Sequence, residues 1–370
     1  MRPETLLSDL VAFPTVAGRP NGALIDYVQT YLSDHGLAST VVEGEADRFN
    51  LFATIGPVDR SGYILSGHVD VVPAEEPEWQ GDPFALRHVQ DRLIGRGAVD
   101  MKGFVAAILS SVPDLMQLPL SRPIHIALSY DEEAGCRGVP YLIEELPTLC
   151  APPLGCIVGE PSGMVPVLRH KGKATVKLTA RGRPGHSSRP DLGRNAIHDL
   201  LPALLATAAL PDQLQMSGRR HNAFEPPHST VQIGTIHGGQ AVNIIPDHVE
   251  ALIEARAVPG DDPMDLLAPV LTTAQDNGAI AAEVVASYPA LDLDEKAPLV
   301  SLLSSLTGTT PLAAVSFGTE AGLFQAAGIP SIICGPGDIS RAHKPEEYIA
   351  VSELRAAREL AIALGHAMTE

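Results

Sequence analysis

Four short apolar runs, each leading to a histidine or a carboxylate, constrain this chain more than any other feature. Tyr63-Ile64-Leu65 passes through Ser66-Gly67 to His68-Val69-Asp70. Ile124-His125-Ile126-Ala127-Leu128-Ser129-Tyr130 runs into Asp131-Glu132-Glu133, and Cys156-Ile157-Val158-Gly159 into Glu160. Near the C-terminus, Ser331-Ile332-Ile333-Cys334 opens a Gly335-Pro336-Gly337 loop that leads to His343. Apolar runs of this length bounded by turn residues read as buried strands, and open α/β sheets place ligand crevices at the carboxyl ends of their strands. A further carboxylate, Asp100, stands at the entrance to an apolar helical run. Singly, none of these is diagnostic. An H-x-D pair is commonly a local hydrogen bond, three acidic residues a solvated turn, and Glu160 before Pro161 a strand end. Together, two histidines and several carboxylates at strand ends form the donor set of a two-metal hydrolase.

The rest of the chain bounds what such a site can belong to. At 370 residues it exceeds the size that one core usually serves, so two domains are expected. A formal charge of −18 argues against nucleic acid or an anionic membrane as partner, since both demand basic faces. Cys136, Cys150, Cys156 and Cys334 show no C-x-x-C spacing, which favours a reducing cytoplasm. The N-terminal residues Leu6, Leu7, Leu10 and Val11 recur at helical spacing around Asp9 and do not form a signal peptide. The most apolar helix, 196–210, carries His198, Asp199 and Pro202, so no membrane span is expected.

Helices are expected over 4–12 and 21–35, and strands then alternate with helices: strands 37–42, 50–55, 63–67, 124–130 and 156–159, helices 101–112 and 138–146. That alternation predicts a largely parallel sheet covered on both faces. The connection 73–95, which holds the only tryptophan, Trp79, is long enough to be functional. From Lys173 the pattern changes to strand 174–180, helix 195–210, strand 229–236, strand 243–257 broken at Pro246, helix 263–275 and strand 280–288. This β-α-β-β-α-β order is that of a ferredoxin-like unit, inserted between two parts of the first domain. From 297 the α/β pattern resumes, with helices 298–306, 320–327 and 351–368 and strand 331–334.

The motifs G-H-x-D, G-x-x-D-M-K-G, D-E-E-x-G, G-E-P-S, G-H-S-S-x-P and G-P-G-x-I-x-x-A-H-K-P-x-E occur in this order along nearly the whole chain. In them the chain resembles the co-catalytic zinc family of acetylornithine deacetylases, succinyl-diaminopimelate desuccinylases, aminoacylases and carboxypeptidase G. The resemblance implies a zinc-peptidase-like catalytic domain over 1–172 and 291–370, with an α+β lid and dimerisation domain over 173–290. It implies that His68 and Glu160 hold one metal ion, Glu133 and His343 the other, and that Asp100 bridges both. Asp70 would orient His68, and Glu132 would act as general base. A cis peptide is implied at Asp100-Met101. Zinc is the expected metal, with cobalt or manganese as stand-ins.

For the inserted domain the resemblance implies that His186 reaches across a homodimer to the partner's substrate carbonyl. Otherwise His186 is a turn residue. Asn243 and Arg256 match positions near substrate; Arg256 is either a clamp on an α-carboxylate or a salt-bridge partner within the lid. Lys171 and Thr319 are further candidates, and Arg189 a weaker one. The run Phe317-Gly318-Thr319-Glu320-Ala321-Gly322 resembles the deacetylase branch. That implies hydrolysis of the N-acetyl amide of N2-acetyl-L-ornithine, a step of arginine biosynthesis. The alternatives are another N-acyl amino acid, a succinyl-diamino acid, a dipeptide, or a metal-bound protein without activity. The presence of Glu132 weighs against the last, since a binding protein needs no base.

Overall fold

The computed structural model describes residues 1–369; Glu370, the last residue of the expected catalytic segment, lies outside them. The chain forms two compact units. One comprises Met1–Arg169, Asp292–Ala313 and the chain from Thr319 onward, the other His170–Leu291 with Ala314–Gly318.

The first unit is built on a six-stranded sheet in the order Ser39–Glu43, Phe49–Ile55, Ile124–Ser129, Tyr63–His68, Gly155–Pro161 and Ser331–Gly335. The last four strands pair in parallel, and the first two join them antiparallel. Every residue of Tyr63–His68, Ile124–Ser129 and Gly155–Pro161 is buried, as expected of parallel strands covered on both faces. Helix Lys102–Leu115 is buried along nearly its whole length because it packs against the sheet and against helices Pro3–Val11 and Val351–Ala367. Its Phe104 ring lies so close over Gly159 that a Cβ there would come within 2.1 Å of it.

The long connection after Asp70 is not irregular throughout. Arg87–Val89 and Arg92–Ile94 form a hairpin, and Tyr348–Ala350 adds a third strand to it. Strands of three residues are too short to show a period in sequence, which is why only a connection was legible there.

The second unit has a four-stranded antiparallel sheet in the order Thr230–Gly238, His248–Ala257, Gly172–Arg181, Ile280–Tyr288. Burial alternates strictly along the two central strands, and their inward residues share a core with helices Ala196–Ser217 and Pro263–Asn277. The ferredoxin-like order is present. The strand expected from 243 begins only at His248. Residues 243–245 pair instead with the turn at 185–187, Ser187 donating to the Asn243 carbonyl and Ile245 to that of Gly185. The helix expected to end at 210 instead continues through Pro211, which it tolerates as it does Pro202, to Ser217 before Gly218.

No helix among the described residues is long and apolar enough to cross a membrane. All four cysteines are free.

Candidate metal centre

The parallel strands converge their carboxyl ends on one point. His68 closes Tyr63–His68, Glu160 lies on Gly155–Pro161, Glu132 and Glu133 follow Ile124–Ser129, and Asp100 stands just before Met101, the N-cap of helix Lys102–Leu115. Asp100 is central. Its Oδ1 lies 3.2 Å from His68 Nε2, and its Oδ2 lies 3.2 Å from His343 Nε2. Each imidazole nitrogen meets a second carboxylate: Glu160 Oε1 at 3.6 Å from His68, Glu133 Oε1 at 2.9 Å from His343. Donor atoms of His68, Asp100 and Glu133 all lie within 4.8 Å of one another, and so do those of His68, Glu132 and Glu160. The Asp100-Met101 peptide is cis.

The electrostatics of the cluster fit divalent cations. Burial, followed by the nearby Asp100 charge, pushes the Glu160 carboxyl well above the usual carboxylate range. Burial and its acidic neighbours raise Glu132 to about 8, although the His68 charge opposes this. Burial and Asp100 raise Glu133 to about 7. Hydrogen bonds to Asp100 and Glu133 lift His343 to about 10. Asp100 itself is held low: burial opposes ionisation, but hydrogen bonds from His343 and His68 outweigh it. Several carboxylates crowded in one partly water-free place repel each other, and only compensating positive charge lets them ionise together. Mixed imidazole and carboxylate donors suit such ions.

Two carboxylates behind the cluster grip its main chain. Asp70 accepts the backbone N–H of Glu132 on Oδ1 and that of Glu133 on Oδ2, each at 3.1 Å. The expected partnership of Asp70 with His68 is there at 3.4 Å, but His68 Nδ1 lies closer, at 3.0 Å, to the Asp70 main-chain carbonyl. Glu347 Oε1 accepts the N–H of Val99 at 3.0 Å and of Asp100 at 3.2 Å. Glu320, also buried, accepts from Ser66 Oγ at 2.6 Å and Ser129 Oγ at 2.7 Å. Neither Glu347 nor Glu320 is among the residues expected at the site, although Glu347 stands inside the motif A-H-K-P-x-E and Glu320 inside the run Phe317-Gly318-Thr319-Glu320-Ala321-Gly322.

The profile of Peptidase family M20/M25/M40 matches residues 64–364. The chain belongs to that family. It is 34% identical over 372 residues to an acetylornithine deacetylase of Edwardsiella ictaluri, covering 96% of this chain and 95% of that one. Another acetylornithine deacetylase, from Pectobacterium atrosepticum, is 34% identical over 369 residues, covering 95% and 94% of the two chains. In fold, this M20 hydrolase resembles a metallo-carboxypeptidase of the family from Sulfolobus solfataricus, with a TM-score of 0.80 at 20% identity over 99% of both chains. It also resembles a Bacillus subtilis protein described as a dinuclear metal binding peptidase, with a TM-score of 0.66 at 15% identity over 99% and 98% of the two chains.

The residues expected to meet substrate fall into two groups. Thr319, in the first unit of the M20 hydrolase, is fully buried, and its hydroxyl accepts the N–H of Ala321 at the start of helix Ala321–Ala326. The others lie in the second unit. His186 and Asn243 are neighbours there, bridged through Ile244 and Ser187, and His186 Nδ1 lies 2.8 Å from Ser188 Oγ. Arg256 pairs with Glu254 through Nε at 2.9 Å, the plainer of its two expected roles. Lys171 Nζ donates to the carbonyls of Pro226 at 3.1 Å and His228 at 2.8 Å; burial, then the Arg256 charge, lowers its pKa. Arg189 is bound at the surface to Asp191.

Proposed function

We propose that this M20 hydrolase cleaves the N-acetyl amide of N2-acetyl-L-ornithine, giving ornithine and acetate, with a pair of divalent cations, zinc first among them. One observation carries the metal pair, a single carboxylate, Asp100, that turns its two oxygens to two histidines, each with a glutamate of its own; similarity to acetylornithine deacetylases supports the substrate. Asp100 would bridge two ions, with His68 and Glu160 on one side and Glu133 and His343 on the other. Such ions supply an activated water and polarise the amide carbonyl.

The chain's own residues do the rest. Glu132 lies beside the ligand Glu133 and reaches the same cluster as His68 and Glu160. As general base it takes a proton from the attacking water and returns it to the leaving amine, which an amide requires because a free amide anion leaves poorly. Asp70 fixes the Glu132 main chain and backs His68. His186, from a partner subunit, would donate to the developing oxyanion, and Arg256, Asn243, Lys171 and Thr319 would contact substrate; the family motifs support these roles.

A homodimer formed through the second unit is part of the same reading. Supporting it, Leu205 on helix Ala196–Ser217 and Ile236 on the edge strand Thr230–Gly238 are 68% and 50% exposed. The reading places the chain in the cytoplasm.

The deciding experiment is hydrolysis of N-acetylornithine by purified protein, with and without chelator, ranked by kcat/KM against N-succinyl-diaminopimelate, other N-acetyl amino acids and dipeptides. Chelator-sensitive turnover that is highest on N-acetylornithine supports the reading. Preference for a dipeptide or a succinyl amide overturns the substrate and leaves the metal centre standing.

A further inference from the structure

Arg96 is a fully buried guanidinium whose two Nη groups are bonded to residues outside the cluster, while its Nε has no partner. Its Nη1 donates to Glu347 Oε2 at 2.8 Å and to the Lys344 carbonyl at 3.4 Å. Its Nη2 donates to the Pro73 carbonyl at 3.0 Å and to Glu76 Oε1 at 3.3 Å, and its guanidinium stands 5.2 Å from the centre of the Trp79 ring. Glu347, on its other oxygen, holds the amides of Val99 and Asp100. Next to it, Glu346 Oε1 accepts from the Gln80 N–H at 2.9 Å and from Arg87 Nη2 at 2.5 Å. One guanidinium thus ties three segments together: that of Asp100, through Glu347; that of His343, through the adjacent Lys344 carbonyl; and the 73–87 loop.

The other half of the cluster shares only Asp100 with this network. His68 and Glu160 are carried by fully buried sheet strands, and neither segment is held by Arg96 or Glu347. His343 lies in a loop, at a φ of +59°, with half its side chain exposed.

We propose that Arg96 and Glu347 are positioning residues for one of the two cation pockets, that of Glu133, Asp100 and His343, and that they link its filling to the order of the loop carrying Trp79. The proposal rests on the two-cation reading above. A buried ion pair that aims main-chain amides acts on the ligands as outer hydrogen-bond partners do, and losing such partners typically costs 10–100-fold in metal affinity. Asp100 is common to both pockets, so the larger loss falls on the ion that also depends on the His343 loop. Trp79, the only tryptophan, reports it, because its ring lies against the same guanidinium.

The test is a cobalt(II) titration of the chelator-stripped full-length protein, followed by visible absorption, calorimetry and tryptophan fluorescence. In wild type two uptake steps are expected, with the fluorescence change confined to one. In the double variant Arg96→Met with Glu347→Met, an apolar replacement that leaves no unpaired buried charge, that step weakens 10–100-fold, the other weakens at least threefold less, and the fluorescence response disappears. Glu347→Gln keeps an acceptor for the two amides and falls between. Equal weakening of both steps, or none, overturns the proposal. If the double variant does not fold, the wild-type titration decides: fluorescence that ignores both steps overturns it. Wild-type protein that takes up fewer than two cobalt ions overturns the two-cation reading itself.

Discussion

The carboxylate of Asp70 holds the main chain of Glu132: Oδ1 accepts its N–H at 3.1 Å, while Oδ2 takes that of Glu133 at the same distance. Consecutive side chains diverge, so on the proposed roles fixing both amides would decide which glutamate faces the ions as ligand and which stays free as base. Asp70→Ala is therefore expected to lower kcat more than it raises KM and to weaken metal binding about 10–100-fold. Steady-state kinetics with metal analysis after dialysis check both.

Glu132→Gln should separate binding from turnover. The amide keeps the size of the side chain but cannot accept the water's proton. Two metal ions per chain should remain while kcat falls roughly 10²–10⁴-fold. Near-wild-type kcat in a metal-replete variant would remove Glu132 as base.

Gly159→Ala tests how closely fold and site are joined. The added methyl would meet the Phe104 ring at 2.1 Å, and Glu160 is the next residue. Overpacking of this kind costs about 1–3 kcal/mol, so Tm should fall, with weakened metal uptake beside it. A variant of unchanged Tm and uptake would show that the ring moves freely.

Burial lowers the pKa of His125 to about 4, and its Nε2 has no hydrogen-bond partner. The unfolded chain binds this proton near pH 6.5, so stability is complete above that value and is lost as pH falls through the window to about 4. The full loss from one such group is about 3 kcal/mol. In His125→Leu the difference in stability between pH 7 and pH 4.5, read by denaturant unfolding, should shrink. An unchanged difference would mean that His125 is not neutral in the folded chain.

Charged substitutions at the exposed apolar positions Leu205 and Ile236 should yield a monomer. If His186 acts across the dimer, that monomer keeps its metal and loses activity. Light scattering and metal analysis accompany the assay; an active monomer removes the role in trans.

Much of this was legible because strands buried on both faces leave continuous apolar runs, and the residue after each run is where chemistry sits. His68, Glu133 and Glu160 could be found that way. His343 follows its strand at a distance, and only its motif marked it. The hairpin at 87–94 was not legible, its strands being too short for a pattern. Nor was the start of the strand at His248, because pairing of 243–245 with the 185–187 turn is a tertiary contact. The grip of Asp70 and Glu347 on neighbouring amides escaped for a similar reason. A backbone N–H is the same at every residue, so nothing in the letters says which carboxylate will seek it.

All five candidate ligands, the candidate base and both carboxylates behind them belong to one of the two units. The segment from His170 to Leu291 contributes no atom to that cage. On the proposed roles, a new acyl group or amino acid could be accommodated by changes in the insert, His186 excepted, while the cage is inherited intact. A protein engineer seeking altered specificity should begin with inserts that keep this histidine, not by touching the hub.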